Sequence, residues 1–490
     1  MRYRNDPDGT RLPIKLDTTT NGEFAPIPLA PLHHLARHLA FERATVNAKR
    51  LAVSRRAFLV SACGAATTLL GMNAAYAAAG RRGGYFDVPE EAALDLHVAR
   101  STLDRTEFVF DVQGHFVNPT GAWTKALPPG AQPLRFTDLK GCAAASAPGL
   151  GYLQCLGADE FIKDIFLDSD TDLIVLSFVP STRNDEPLTI EEAAATAQIV
   201  EKMEGTHRVF LHGRVNPNQP GDLEAMDMLA ERYPIAAWKT YTQWGPDGKG
   251  FYLDDDVGVA FIEKAHRLGI RTVAVHKGLP FGQQSYEHST CIDVGRVAKR
   301  FPDVKFLIYH SGFVPGAAEG PYDAKRRDGI DALVTSLIDN GIAPNANVYA
   351  ELGSTWRFLM RDPNAAAHAL GKLFKYVGEN NVLWGTDSIW YGSPQDQIQA
   401  FRTFQLSDTL MAKHGYPKLT PALRAKVFGR NALKVYKVSD EVLKKHLPRD
   451  RVALERTEYR ERADPTFLTH GPKTRREFLT LKSRTGGTAV

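Results

Sequence analysis

From residue 108 onward, short apolar runs of strand length alternate with longer segments of helical period, the pattern of βα units that build a parallel sheet. Eight runs carry it: 108–112, 172–178, 209–214, 236–241, 272–276, 305–310, 347–351 and 382–386. Between them lie helix-like stretches such as 190–203, 257–268 and 331–338, each closing near a glycine or a polar break. Eight such units predict an α/β fold, a (β/α)8 TIM-type barrel over residues 108–437. The first connection, 118–157, is long and rich in Pro, Gly and Ala, and reads as an insertion after strand one placed to cover one barrel end. Past residue 437 the chain is charged and weakly periodic, which predicts a peripheral helical tail over 438–490.

Ahead of the barrel the pattern changes. Ser54-Arg55-Arg56-Ala57-Phe58-Leu59 precedes an apolar run of small residues that ends in Ala75-Tyr76-Ala77. Paired arginines, a short apolar run and an A-x-A site look like a twin-arginine export signal. Residues 1–79 therefore read as a long n-region with a signal peptide, 80–107 as a linker, and the protein as exported to the periplasm by the twin-arginine machinery. The run is too short and too rich in Ala and Gly for the ~20 apolar residues of a membrane span, which disfavours a signal anchor. The four cysteines show no CxxC spacing, which argues against a structural zinc site. A bridge between Cys142 and Cys155 suits an oxidising compartment; buried, inert thiols are the simpler expectation.

Composition leaves this picture intact. Hydrophobic residues at 43%, aromatics at 10% and charged residues at 24% of 490 place the chain among globular proteins rather than disordered or fibrous ones. The net charge of +4 arises at the ends: residues 1–53 carry eight Lys or Arg against five Asp or Glu, and residues 439–490 carry twelve against eight. No concentrated basic face results, so a nucleic-acid partner is not expected. The expected partner is a small-molecule substrate, and a homodimer is compatible with the pattern.

Barrel enzymes display catalytic groups at the C-terminal ends of their strands. Asp111-Val112-Gln113-Gly114-His115-Phe116 ends strand one, His276-Lys277 strand five, His310-Ser311-Gly312-Phe313 strand six and Gly385-Thr386-Asp387-Ser388 strand eight. Taken singly, each has an ordinary structural reading, as a satisfied imidazole or a helix cap. Together, three imidazoles and a carboxylate supply ligands and an acid or base for a catalytic divalent metal. Lys239 ends strand four, where it binds a substrate carboxylate or makes a plain ion pair, and Lys277 reads as a wall or surface residue. Tyr241, Trp244, Trp390 and Tyr391 are candidate walls for a planar or apolar substrate, with core packing as an equal alternative.

With Trp384-Gly385-Thr386-Asp387 and the closing Val427-Phe428-Gly429-Arg430-Asn431-Ala432, these strand ends resemble the amidohydrolase-related branch of the amidohydrolase superfamily, which includes aminocarboxymuconate semialdehyde decarboxylase and related hydrolases. The resemblance implies His115, His276 and Asp387 as ligands of one divalent metal, with His310 and Asp387 as catalytic groups. In other branches of the superfamily a carboxylated lysine at the position of Lys239 bridges two metals. Gln113 stands where the family's first metal-binding imidazole is expected. An amide oxygen is a weaker, neutral ligand, so the site is expected to hold zinc less tightly, to favour manganese or another hard ion, or to hold none. Three functions remain open: a metal-dependent hydrolase, a non-oxidative decarboxylase of an aromatic or enoic acid, and a metal-free periplasmic binding protein.

Overall fold

The computed structural model describes residues 11–104, 106–125, 155–204, 206–280, 285–461, 463 and 469–484. All eight expected strands are present: β1 (Phe110–Gly114), β2 (Leu173–Leu176), β3 (Val209–Arg214), β4 (Ile235–Tyr241), β5 (Thr272–His276), β6 (Lys305–Tyr309), β7 (Val348–Glu351) and β8 (Val382–Leu383). They lie parallel, in the order of the sequence. The sheet closes into a barrel where Gly114 bridges Ser388 and where the amides of Val112 and Asp387 reach the carbonyls of Trp384 and Gln113 at 3.0 and 2.9 Å. Helices such as Ile190–Glu204, Asp222–Arg232, Asp256–Arg267 and Gly329–Asp339 connect successive strands.

Strand alternation sends Val175, Ala237, Ala274, Leu307, Tyr309 and Leu383 into one interior cluster, joined by Leu433 and Tyr436 from the helix Asn431–Tyr436. Val112 belongs to it too, so strict alternation would turn Gln113 away. The β1–β2 register shifts between Asp111 and Gly114. Such an irregularity re-aims side chains, and Gln113 consequently points into the barrel mouth beside Asp387.

The residues read as leader and linker are built into the same body. Helix α1 (Pro31–Arg50) buries Ala36, Ala40, Ala44 and Ala48, a stripe recurring every fourth residue. Ser54 caps the short helix α2 (Arg55–Leu59) by accepting from the Ala57 amide at 3.1 Å, so the paired arginines form the first turn of a capped helix. The apolar run itself is helix α3 (Ala62–Ala78), with Cys63, Leu69, Met72, Ala75 and Tyr76 buried. Small residues let α1 and α3 approach closely: a Cβ at Gly71 would come within 3.0 Å of the Ala40 nitrogen. The Tyr76 hydroxyl donates to the Arg361 carbonyl at 2.8 Å, tying α3 to the barrel's flank. Among the described residues no helix is long and apolar enough to cross a membrane.

In the stretch read as a linker, Gly84–Phe86 pairs antiparallel with Phe404–Leu406. The charged tail forms the helices Arg451–Glu461 and Arg475–Arg484 and is fastened by a buried ion pair, Arg208 to Asp450 at 2.6 Å. Most of the insertion expected over 118–157 lies outside the described residues. Cys155, near its end, is disulfide-bonded, which corrects the expectation of inert thiols there, while Cys63 and Cys291 are free and buried.

Candidate functional site

The strand ends singled out in the sequence meet in one buried cluster: Gln113, His115, His276, His310 and Asp387 are each at most 2% exposed. Each imidazole leans on a backbone carbonyl. His115 Nδ1 lies 3.1 Å from the Ser177 oxygen, His276 Nε2 3.4 Å from that of Leu279, and His310 Nδ1 2.7 Å from that of Gly353. A carbonyl only accepts, so those nitrogens carry the protons and the opposite nitrogen of each ring presents a lone pair to the cluster. Metal-binding imidazoles are oriented in this way.

His276 Nδ1 and His310 Nε2 consequently face each other at 3.2 Å, with Glu23 Oε1 3.7 Å from His276 Nδ1. Two lone pairs at that separation repel unless a proton or cation lies between them. Ligand atoms of Glu23, His276 and His310 all lie within 4.8 Å of one another, so the donor set fits a cation. The other half of the cluster is arranged differently. Gln113 Nε2 donates to Asp387 Oδ1 at 2.9 Å and lies 3.3 Å from His115 Nε2 and 3.4 Å from His310 Nε2. An amide NH2 thus stands among the acceptors where the sequence points to a metal, and His115 and Asp387 are 3.2 Å apart beside it.

The backbone is strained to achieve this. His310, Ser311, Ser354 and Asp387 adopt positive φ of 64°, 53°, 52° and 57°, and left-handed non-glycine residues of this kind gather at functional sites. Gly385 is required by close approach, because a Cβ there would lie 1.6 Å from Glu351 Oε1. Glu351 ends β7 and accepts from the His310 amide at 3.0 Å; burial pushes its carboxyl up to about 8.

Glu23 arrives from an unexpected quarter. Residues 11–24, inside the stretch read as a leader, form an irregular strap over the barrel mouth. Lys15 Nζ donates to the carbonyls of Tyr391 and Ser393 at 2.7 and 2.6 Å and pairs with Asp396 at 3.4 Å. Arg357 reaches the Lys15 carbonyl at 2.5 Å and Asp17 at 2.7 Å. Asn21 Nδ2 then donates to Asp387 Oδ2 at 3.0 Å and to Glu23 Oε2 at 2.6 Å. Ser354 Oγ also donates to Asp387 Oδ2. No periodicity or strand-end signal marks Asn21, Glu23 or Ser354.

Burial raises the Asp387 carboxyl, but His115, His310 and Ser354 outweigh it and hold the group below the usual carboxylate range. Burial lowers His310 to about 4 and His276 well below 6.5, so both rings are neutral at pH 7. Among the described residues Lys239 finds no hydrogen-bond partner; its ammonium sits 3.6 Å over the Tyr309 ring and 4.7 Å from that of Tyr241. A cation–π contact therefore replaces the plain ion pair. Lys277 is no surface residue: it is fully buried and paired with Asp293 at 2.8 Å. Tyr241 stacks on His276 and Trp390 on His115, with ring centroids 4.7 and 6.0 Å apart, while Trp244 packs with Tyr241. The Tyr391 hydroxyl meets Ser354 Oγ at 2.6 Å.

Residues 167–438 match the family described as amidohydrolase. The chain belongs to the amidohydrolase family. The match takes in His276, His310 and Asp387 of the amidohydrolase barrel, and β1 and the strap lie ahead of it. Similar solved structures include 5-carboxyvanillate decarboxylase from Sphingomonas paucimobilis, at 14% identity, 68% of this chain, 100% of that chain and a TM-score of 0.41. An uncharacterised TIM-barrel protein from Bordetella bronchiseptica aligns at 12% identity over 67% of this chain and 98% of that one, with a TM-score of 0.42. For 2,6-dihydroxybenzoate decarboxylase from Rhizobium the figures are 13%, 68%, 99% and 0.39. Among curated proteins none matches the amidohydrolase sequence.

Proposed function

We propose that this amidohydrolase-family enzyme is a metal-dependent hydrolase that activates water for attack on a carbonyl-type bond of a small organic substrate. The observation that carries this reading is the facing pair of imidazole lone pairs, His276 Nδ1 and His310 Nε2 at 3.2 Å, flanked by Glu23. Glu23, His276 and His310 would hold a divalent cation, which would supply a lowered pKa for bound water and polarisation of a carbonyl. Zinc suits the two imidazoles, and the carboxylate admits a harder ion such as manganese.

Asp387 is the group suited to take the proton from water, since it is anionic, 2% exposed and fixed by donors on both oxygens: Gln113 on Oδ1, Asn21 and Ser354 on Oδ2. Tyr241 and Trp390 offer flat walls to a planar substrate, and the Lys239 ammonium, without a hydrogen-bond partner among the described residues, suits an oxyanion or carboxylate.

That last feature also supports a second reading, non-oxidative decarboxylation of an aromatic or enoic acid, with Lys239 binding the carboxylate and Asp387 or His310 returning a proton to carbon. Asp387 is held below the usual carboxylate range and burial lowers His310 to about 4, so in this reading either group must first take up the proton that it returns. Incubation with lactones and amides on one side and aromatic acids on the other decides between the two. Hydrolysis products are expected; carbon dioxide release without any bond hydrolysis would sink the hydrolase.

A further inference from the structure

The N-terminal strap is part of the cluster: Asn21 meets Asp387, and Glu23 stands beside His276 and His310. Asn21 and Glu23 are 3% and 5% exposed, His276 and His310 0% and 1%, so among the described residues the strap 11–24 helps to close the imidazoles off, and lifting it opens them from that side. Lifting the strap withdraws Glu23, and with it the one carboxylate among the three grouped donors. The two remaining imidazoles are anchored independently, His276 on the Leu279 carbonyl and His310 on that of Gly353, so they stay in place when the strap leaves.

We propose that Glu23 is a cation ligand delivered in cis by the N-terminal strap, standing in for the imidazole that position 113 lacks, so that cation binding and closure of the barrel mouth are one coupled equilibrium. The inference rests on the hydrolase reading only in requiring that a cation binds at this site. Gln113 explains why a substitute is needed: its NH2 serves Asp387 at 2.9 Å and lies 3.3 Å from His115 Nε2, so a cation between those two groups would meet a donor rather than a lone pair. Coupling follows by linkage. A cation that binds the strap-down state with three protein ligands and the strap-up state with two shifts the population toward strap-down, and docking of the strap raises cation affinity by the same factor.

The test uses the full chain, stripped of metal by a chelator and titrated with zinc or manganese chloride by calorimetry, with hydrogen–deuterium exchange of residues 11–24 followed in parallel. In the wild type a single cation per chain is expected to bind and to slow exchange across the strap. Loss of even an indirect partner costs metal sites roughly tenfold to a hundredfold in affinity, so Glu23→Gln should bind at least about tenfold more weakly. Its strap should no longer respond to the ion. Should Glu23→Gln fail to fold, Glu23→Asp reads the same quantity, since it keeps the charge and withdraws the carboxylate by one methylene. Equal affinity in wild type and variant, strap exchange indifferent to the ion, or no binding by the wild type each overturns the proposal. Tight binding through Glu23 without hydrolysis of any substrate removes the hydrolase reading and leaves this one standing.

Discussion

At Lys239, burial and charge pull against each other. Burial lowers its ammonium from 10.5 to about 7, although the carboxylates of Glu351, Asp387 and Glu23 pull it back up. In the unfolded chain the same lysine keeps its proton to about pH 10.5, so between about pH 7 and 10.5 the unfolded state binds more protons and the fold gains stability as pH rises. Lys239→Met, similar in length and uncharged, removes that dependence. Melting of the cation-free proteins should show the variant's advantage largest at or below pH 7 and shrinking toward pH 10. Parallel profiles would mean that the lysine stays charged in the fold. Of the residues around it, His115, His276, His310 and Asp387 are legible in the sequence because a barrel's chemistry sits where its strands end. Glu351 carries the same signal, yet its partners include the backbone amide of His310, which no side-chain pattern records.

Among the elements, the eight strands and their order are legible because periods of 2 and 3.6 alternate cleanly from β1 onward. The packing of α1 and α3 is legible only in part. Alanine at 36, 40, 44 and 48 is a packing stripe, but an apolar run of Ala and Gly after two arginines satisfies the pattern of an export signal as well as that of a closely packed helix. Gly71 separates these descriptions experimentally. Its neighbour is Ala40 main chain rather than the tip of a flexible side chain, so Gly71→Leu overpacks the contact at a cost of about 1–3 kcal/mol or more. Urea unfolding should show a lowered midpoint; an unchanged midpoint would mean that the two helices do not pack through this face. The strap itself has no period to read, since what fixes it are single polar contacts such as Lys15 to Tyr391 and Ser393.

On the scale of the whole molecule, the two ends of the chain clasp each other over the barrel mouth. The Thr20 amide donates to the Pro472 carbonyl at 3.1 Å, Thr18 Oγ1 to that of Lys473 at 2.6 Å, and Thr469 Oγ1 to Asp17 Oδ2 at 2.9 Å. The amides of His470 and Gly471 meanwhile reach the Trp390 carbonyl at 2.8 and 2.9 Å. A chain ending at residue 468 should therefore keep its barrel, seen as unchanged circular dichroism, while residues 11–24 exchange amide hydrogens faster. Unaltered exchange there would show that the C-terminal segment contributes nothing to holding the strap. The clasp also sets an order of events during synthesis. Thr18 and Lys473 are 455 positions apart, and contacts across such separations form late because the loop between them must close first. The strap's anchors at Arg357, Asp387, Tyr391, Ser393 and Asp396 all exist as chain before residues 469–473, so each new molecule passes through an interval in which its strap is seated without the C-terminal clasp, and that interval is when an ion from the surroundings has its freest access to the imidazoles.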